Sequence, residues 1–310
     1  MDAKTVLHQQ RGHQIQQTLI AVDEMIALPN GRQLELITAA SRCPEGPAIR
    51  PGTTGPVSHS GAPRSSWLVI VLPGGGYEFC SFREARNIAL HFANHGIDSA
   101  VLNYQVMDEE DALSSGKGLG YGPMTELAHA VDELRSNEQL GYSNSGIVLC
   151  GFSAGGHLAA SLCTRYDCQQ LQAAGPWRSS LRPDGAILSY AVQSAVPEDR
   201  ARMVFHCLTG STDPQKWREF TTDDKVRPGT PPAFIWHTAD DDVVPVRNAL
   251  NYAQAMWRCG NTAELMVLPH GIHGLATATS DVEPDNSFAY ADEHAALWLA
   301  HAVSFIKKFV

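Results

Sequence analysis

The most regular signal along the chain is a series of short, unbroken apolar runs. Trp67 to Leu72 reads WLVIVL and Gly146 to Cys150 reads GIVLC; similar runs cover Ile97 to Leu102, Gly185 to Tyr190, Ala233 to His237 and Leu265 to Leu268. A strand that is apolar on both faces is covered on both faces, as in a parallel sheet. Between these runs the apolar period lengthens to that of a helix. Ser81 to Asn94 places Ala85, Ile88, Ala89 and Phe92 on one side and is closed by Gly96. Further helices are predicted from Pro123 to about Arg135, from Ala154 to about Thr164, and beginning near Val246 and near Asn286. Strands alternating with helices predict an α/β fold: a mostly parallel central sheet with helices on both faces.

The remaining segments are less periodic. Ile15 to Val22 and Gln33 to Thr38 read as strands flanking the turn Pro29-Asn30-Gly31. Residues 43–66 form a long Gly/Pro/Ser-rich connection and residues 108–121 a polar, glycine-rich loop. Residues 191–230 are irregular enough to form a small cap or lateral wall. No repeat or clean linker divides the 310 residues, so residues 1–310 are expected to form one domain.

Charge and cysteine content narrow the function classes. Acidic residues outnumber basic ones 33 to 23, a formal charge of −10 without clustered Lys and Arg, which argues against a nucleic-acid partner. The seven cysteines, at positions 43, 80, 150, 163, 168, 207 and 259, are odd in number, widely spaced and without a CxxC pair. They predict reduced thiols in a cytoplasmic protein rather than a disulfide framework. No run approaches the roughly 18 apolar residues of a membrane helix, so no membrane association is expected. The polar N-terminal stretch through Gln17 lacks a signal-peptide core.

The candidate chemistry begins at Gly151-Phe152-Ser153-Ala154-Gly155, where a buried strand runs directly into an Ala- and Leu-rich helix. A serine at such a turn stands at the carboxyl edge of the sheet, provided its neighbours are small. The helix start beyond it offers unpaired N–H groups to developing negative charge. We therefore read Ser153 as a nucleophile. Gly74-Gly75-Gly76 ends an earlier buried strand near the same edge. The N–H groups of Gly75, Gly76 and Ala154 are candidate oxyanion donors for a tetrahedral intermediate. Tyr77 and Phe79 beside the glycines are candidate walls of a narrow acyl pocket.

A serine nucleophile needs a base and an orienting carboxylate. Three adjacent aspartates, Asp240, Asp241 and Asp242, follow the strand ending at His237, and any of them could serve as the acid. The last predicted strand is followed by Pro269-His270-Gly271-Ile272-His273-Gly274. His273, with glycine after it and Gly271 two residues before, suits a loop that carries an imidazole across to Ser153; His270 reads as a rim residue. Neither HExxH nor the spacing of a calcium loop is present, so no metal is expected. His157, four residues past Ser153, reads as a packed, hydrogen-bonded histidine rather than the base.

Taken together, LPGGGYEFCSFREA (72–85), VLNYQV (101–106), GFSAGGHLA (151–159), PPAFIWHTADDDVVPV (231–246) and HGIHGL (270–275) resemble the acetyl esterase/lipase group of the α/β-hydrolase superfamily. The likeness is to the bacterial branch with PGGGY in place of HGGG. Pro73 stands where many relatives carry histidine, which leaves the glycine donors intact but removes a side chain that could organise the loop. The resemblance implies the α/β-hydrolase fold and selects Asp241 as the acid, because it precedes Val244-Pro245 with two residues between. It also implies Ser153 as nucleophile, His273 as base, and Gly75 and Gly76 as oxyanion donors. The implied activity is cofactor-free hydrolysis of short-chain, typically acetyl, carboxylic esters through an acyl-enzyme. The implied partner is a small-molecule ester, acetylated carbohydrates included. The same residues would also serve an amide-directed enzyme, arylformamidase-like or a small peptidase. A non-catalytic binding protein on this fold would be expected to have lost a triad member, and all three candidates are present.

Overall fold

The computed structural model describes residues 22–39, 64–282 and 289–310. Its strands are β1 (Glu24–Ala27), β2 (Gln33–Ile37), β3 (Trp67–Leu72), β4 (Asp98–Leu102), β5 (Gly146–Phe152), β6 (Gly185–Ser189), β7 (Ala233–Thr238) and β8 (Ala263–Leu268). They form one sheet in the order β1-β2-β4-β3-β5-β6-β7-β8. The contacts from β4 through β8 are parallel, whereas β2 joins β4 and β1 joins β2 antiparallel. This is the α/β-hydrolase architecture expected from the sequence.

The apolar runs explain the layering. Along β3, Leu68, Ile70 and Leu72 pack into one core while Val69 and Val71 pack into the other. The first core is closed by α3 (Gly122–Ser136), α4 (Ala154–Arg165) and α8 (Arg247–Arg258). The second is closed by α1 (Arg86–Asn94) and α9 (Glu293–Phe309). Every residue of β4, β6 and β7 is buried, which is why their sequences carry no polar alternation.

Several local expectations change or fall outside the described residues. The expected strand at Ile15 to Val22 lies outside the described residues except Val22, which is not in a strand; the strand before the Pro29 turn is β1. Only Ile26 of β1 is buried, so its sequence EMIA carries little strand signal. The segment 108–121 contains a helix, α2 (Glu109–Ser115), rather than a continuous loop. The Asp108 carboxylate accepts from the Glu110 and Asp111 N–H groups, and Gly116 ends the helix at φ 64°. The predicted helix at 81–94 is a 3-10 turn, Phe82–Glu84, followed by α1. The connection at 43–66 lies outside the described residues up to position 63, and the last helix begins at Glu293 rather than near Asn286.

Residues 191–230 leave the carboxyl end of β6, return to the start of the parallel β7, and hold α6 (Met203–Thr209) and α7 (Pro214–Trp217). Leu119 and Gly120 donate their N–H groups to Cys207 and Leu208 carbonyls, which fixes the chain after α2 along α6. A short helix, α5 (Gln169–Ala173), follows α4.

Candidate active site

Ser153 sits between β5 and α4 at φ 52°, ψ −115°, a backbone region that side-chain-bearing residues rarely adopt. The turn closes only because its neighbours lack side chains. A Cβ on Gly151 would lie 2.2 Å from the Gly155 carbonyl oxygen, and one on Gly155 would lie 2.1 Å from that of Leu72. Main-chain bonds then lock the serine: its N–H donates to the Ser189 carbonyl at 3.0 Å, and its carbonyl accepts from His157 N–H at 3.0 Å.

The three aspartates after β7 divide their partners. Asp241 is buried, and its Oδ1 accepts from the Val243 and Val244 N–H groups at 2.9 Å each. Its Oδ2 lies 2.7 Å from His273 Nδ1. His273 Nε2 lies 3.0 Å from Ser153 Oγ. A carboxylate only accepts, so the proton on His273 is at Nδ1, and Nε2 is left to accept the serine hydroxyl. Asp240 instead holds His270 Nδ1 at 2.9 Å and the Gly271 N–H at 2.8 Å, with the His270 side chain 84% exposed on the rim. Asp242 pairs with Arg200 at 2.9 Å on the surface. Burial by itself would raise the Asp241 carboxyl; hydrogen bonds from His237 and His273, with the Val244 N–H, outweigh it and hold the group well below the usual carboxylate range.

The glycine run lies against the serine. A Cβ on Gly74 would stand 3.0 Å from Ser153 Cβ. Gly75 and Gly76 have φ of 124° and 69°, conformations that glycine accommodates freely. Among the described residues no protein acceptor takes the N–H of Gly75, Gly76 or Ala154. The Tyr104 hydroxyl, donating to the Pro73 carbonyl at 2.5 Å, braces the run from below.

Tyr77 and Phe79 part company. Tyr77 is 1% exposed, and its ring packs edge-on to Tyr104 and His157. It therefore supports the loop from inside and does not stand as an open pocket wall, because its ring is buried and its hydroxyl is held by His157 Nδ1 at 2.9 Å. Phe79 is 40% exposed beside Gly75 and remains available to a ligand. His157 is buried, accepting from the Tyr77 hydroxyl at Nδ1 and donating from Nε2 to the Phe220 carbonyl at 2.6 Å.

Residues without a sequence signal also reach the site. Glu84 ends a 3-10 turn, Tyr190 follows β6 and Met203 opens α6, and only their tertiary contacts distinguish them. Among the described residues no group of three or more His, Cys, Asp or Glu side chains gathers as metal ligands. No helix among them is long and apolar enough to cross a membrane.

A serine in a strained strand-to-helix turn, a histidine and a buried aspartate from later loops, and this sheet order define a protein of the α/β-hydrolase class. The chain belongs to the alpha/beta hydrolase fold family, which matches residues 122–277. It is 32% identical over 216 residues to Endo-1,4-beta-xylanase B of Butyrivibrio fibrisolvens, covering 69% of this chain and 33% of that protein. It is 29% identical over 224 residues to the Acetylxylan esterase of Xylanibacter ruminicola, covering 69% of this chain and 42% of that protein. The chain thus spans less than half the length of these curated relatives. Among solved structures, an acetyl ester-xyloside bifunctional hydrolase from Caldicellulosiruptor lactoaceticus superposes with a TM-score of 0.68 at 26% identity, covering 93% of this chain and 97% of that one.

Proposed function

We propose that the protein is a serine hydrolase of short-chain carboxylic esters, acetyl esters above all, with Ser153, His273 and Asp241 as its triad. The observation that carries this reading is the continuous hydrogen-bond relay from Ser153 Oγ through His273 at 3.0 Å to Asp241 at 2.7 Å. His273 Nε2 takes the Ser153 proton as Oγ attacks the ester carbonyl. Asp241 fixes the tautomer and stabilises the imidazolium. The oxyanion is received by the N–H groups of Gly75, Gly76 and Ala154. His273 then protonates the leaving alcohol, and water repeats the sequence on the acyl-serine to release the acid and restore Ser153. No cofactor enters this sequence.

Residues 191–230 serve in this reading as a lateral wall of a single hydrolase domain. Arg200 contacts Asp242 at the acid loop, and the end of the Met203 side chain fills the space a Cβ on Gly76 would need at the glycine loop, so the turn between them bridges the site. The substrate class is an acetylated carbohydrate, supported by the xylan-directed names of the relatives.

The test is turnover of p-nitrophenyl acetate and acetylated xylo-oligosaccharides by wild type and Ser153→Ala, with an N-formyl aromatic amide in parallel. We expect ester turnover that the variant loses by several orders of magnitude. Near-wild-type turnover in Ser153→Ala would overturn the triad, and faster amide than ester cleavage would overturn the substrate class.

A further inference from the structure

We propose that Glu84 is a positioning residue that registers the oxyanion loop against the histidine loop, with Tyr190 as its second arm; this rests on the ester-hydrolase reading above. The two loops are 200 residues apart in sequence, yet both must be placed relative to Ser153 to a fraction of an ångström for catalysis.

Glu84 touches both. Its Oε2 accepts the Gly74 N–H at 2.9 Å, which fixes the first peptide of the glycine run and orients the following N–H groups. Its Oε1 accepts the Tyr190 hydroxyl at 2.6 Å. That same Tyr190 oxygen accepts the N–H of Ala276, three residues beyond His273, at 2.9 Å. The Tyr190 ring meets the His273 imidazole edge-to-face, with centroids 5.0 Å apart. The preceding residue reinforces the clamp, because Arg83 Nη2 donates to the Gly274 carbonyl at 2.9 Å. One 3-10 turn thereby holds both sides of the site.

The chemistry of the clamp is unlike that of a packing residue. Glu84 is 3% exposed, and burying a carboxyl group is costly unless both oxygens find donors, as they do here. Tyr190 is held at φ 37°, in the left-handed region, like Ser153 itself. Burial first, and the neighbouring Glu84 charge second, push the Tyr190 phenol well above its ordinary range, so it keeps the proton it donates.

Three changes separate the arms. Tyr190→Phe removes one arm and keeps the ring. Glu84→Gln can still accept the Gly74 N–H through its amide oxygen but presents an NH2 to Tyr190. Glu84→Ala removes both. Activity on p-nitrophenyl acetate is expressed per serine labelled by a fluorophosphonate, alongside melting temperature and affinity for a trifluoromethyl ketone that mimics the tetrahedral adduct. We expect Tyr190→Phe and Glu84→Gln each to lower kcat by about tenfold with KM nearly unchanged, as supporting-shell changes do, and Glu84→Ala by about a hundredfold. The double variant Glu84→Gln/Tyr190→Phe should be no worse than either single, and ketone affinity should fall by the same factor as kcat/KM.

A purely structural role would lower the melting temperature while leaving kcat per labelled serine and ketone affinity at wild-type values; that result in Tyr190→Phe and Glu84→Gln overturns the proposal. Should Glu84→Ala fail to fold, these two variants still decide it. Wild type with neither ester turnover nor serine labelling would overturn the hydrolase reading itself and the clamp with it. Active wild type with unaffected variants would overturn the clamp alone.

Discussion

His157 Nδ1 lies 2.9 Å from the Tyr77 hydroxyl, which ties the helix that follows Ser153 to the loop that follows Gly76. The Phe220 carbonyl at Nε2 can only accept, so the neutral ring carries its proton there and Nδ1 receives the Tyr77 O–H. Burial, first of all, moves this histidine from its ordinary 6.5 down to about 4. A folded-state value below the unfolded one means that the unfolded chain binds the extra proton between these limits. Stability is therefore fully present above about pH 6.5 and is lost as pH falls towards 4, by about 3 kcal/mol from this group. Melting temperatures measured from pH 7 to pH 4 should fall for wild type. His157→Gln, which cannot titrate, should start lower at pH 7 and show a shallower slope. Parallel slopes would contradict the assignment.

Asp241 has the opposite character. Its folded-state value is depressed, so its contribution is present above the unfolded carboxylate range and lost only in strong acid. It stays ionised wherever the protein is folded and active, and no ionisation of Asp241 should appear in the pH profile of kcat/KM above about pH 4. Asp241→Asn keeps the size but can turn an NH2 towards His273 Nδ1, favouring the wrong tautomer. A loss in kcat of about 10⁴-fold is expected, together with a lower melting temperature at neutral pH, where the ionised carboxylate contributes its stability. A loss of less than about tenfold would show that the relay does not run through this carboxylate.

The centre of the sheet was legible because β3 to β7 are buried on both faces and therefore mostly apolar, whereas the edge strands β1 and β8 are largely exposed or half-buried. The positions of Ser153 and His273 followed from their turns, since a tight strand-to-helix turn and a glycine-flanked loop are both written in local residue types. The choice among Asp240, Asp241 and Asp242 was not local: the three share a loop, and what separates them is burial and the Val243 and Val244 N–H groups. The inward turn of Tyr77 was hidden for a similar reason, as an aromatic beside glycines has the same composition whether it lines a pocket or props a loop. Helix α2 was legible in principle through Asp108, its acidic first turn and Gly116, but its single buried residue, Ala112, gives no apolar stripe. Glu84 and Tyr190 had no signal at all, because their roles consist of contacts between segments distant in sequence.

Close approach at the serine turn predicts a sharp contrast between two glycines. In Gly155→Ala the new methyl would lie 2.1 Å and 2.4 Å from the Leu72 and Pro73 carbonyl oxygens, both backbone atoms of a buried strand end. Neither can yield without moving β3 and the glycine run, so a loss of about 3 kcal/mol or more is expected. Gly229, at φ 85°, has nothing within 4 Å of where a Cβ would go. Gly229→Ala should cost only the left-handed strain of about 1–2 kcal/mol and leave ester turnover intact. Urea unfolding of the two variants checks the difference; comparable losses would mean that the turn around Ser153 relaxes more than its packing implies.

The remaining prediction concerns acyl length. Met203 opens α6 with its thioether over the glycine loop, where a Cβ on Gly76 would meet Cε at 2.8 Å and Sδ at 3.4 Å. Gly76 is a proposed oxyanion donor, so a group lying over it stands close to where the acyl carbonyl is held, and a longer acyl chain would run into the thioether. Met203→Ala clears that space, and each methylene newly accommodated in an apolar pocket is worth about 1–3 kcal/mol in discrimination. The ratio of kcat/KM for p-nitrophenyl butyrate over acetate should therefore rise by about tenfold or more, while Met203→Leu, which conserves volume, should leave it near wild type. If Met203 instead borders the leaving-group side, Met203→Ala will leave the acyl series unchanged and alter the ratio between methyl and p-nitrophenyl acetates. Measuring both series on both variants decides which wall of the site this methionine forms, and an unchanged profile in both removes it from the site altogether.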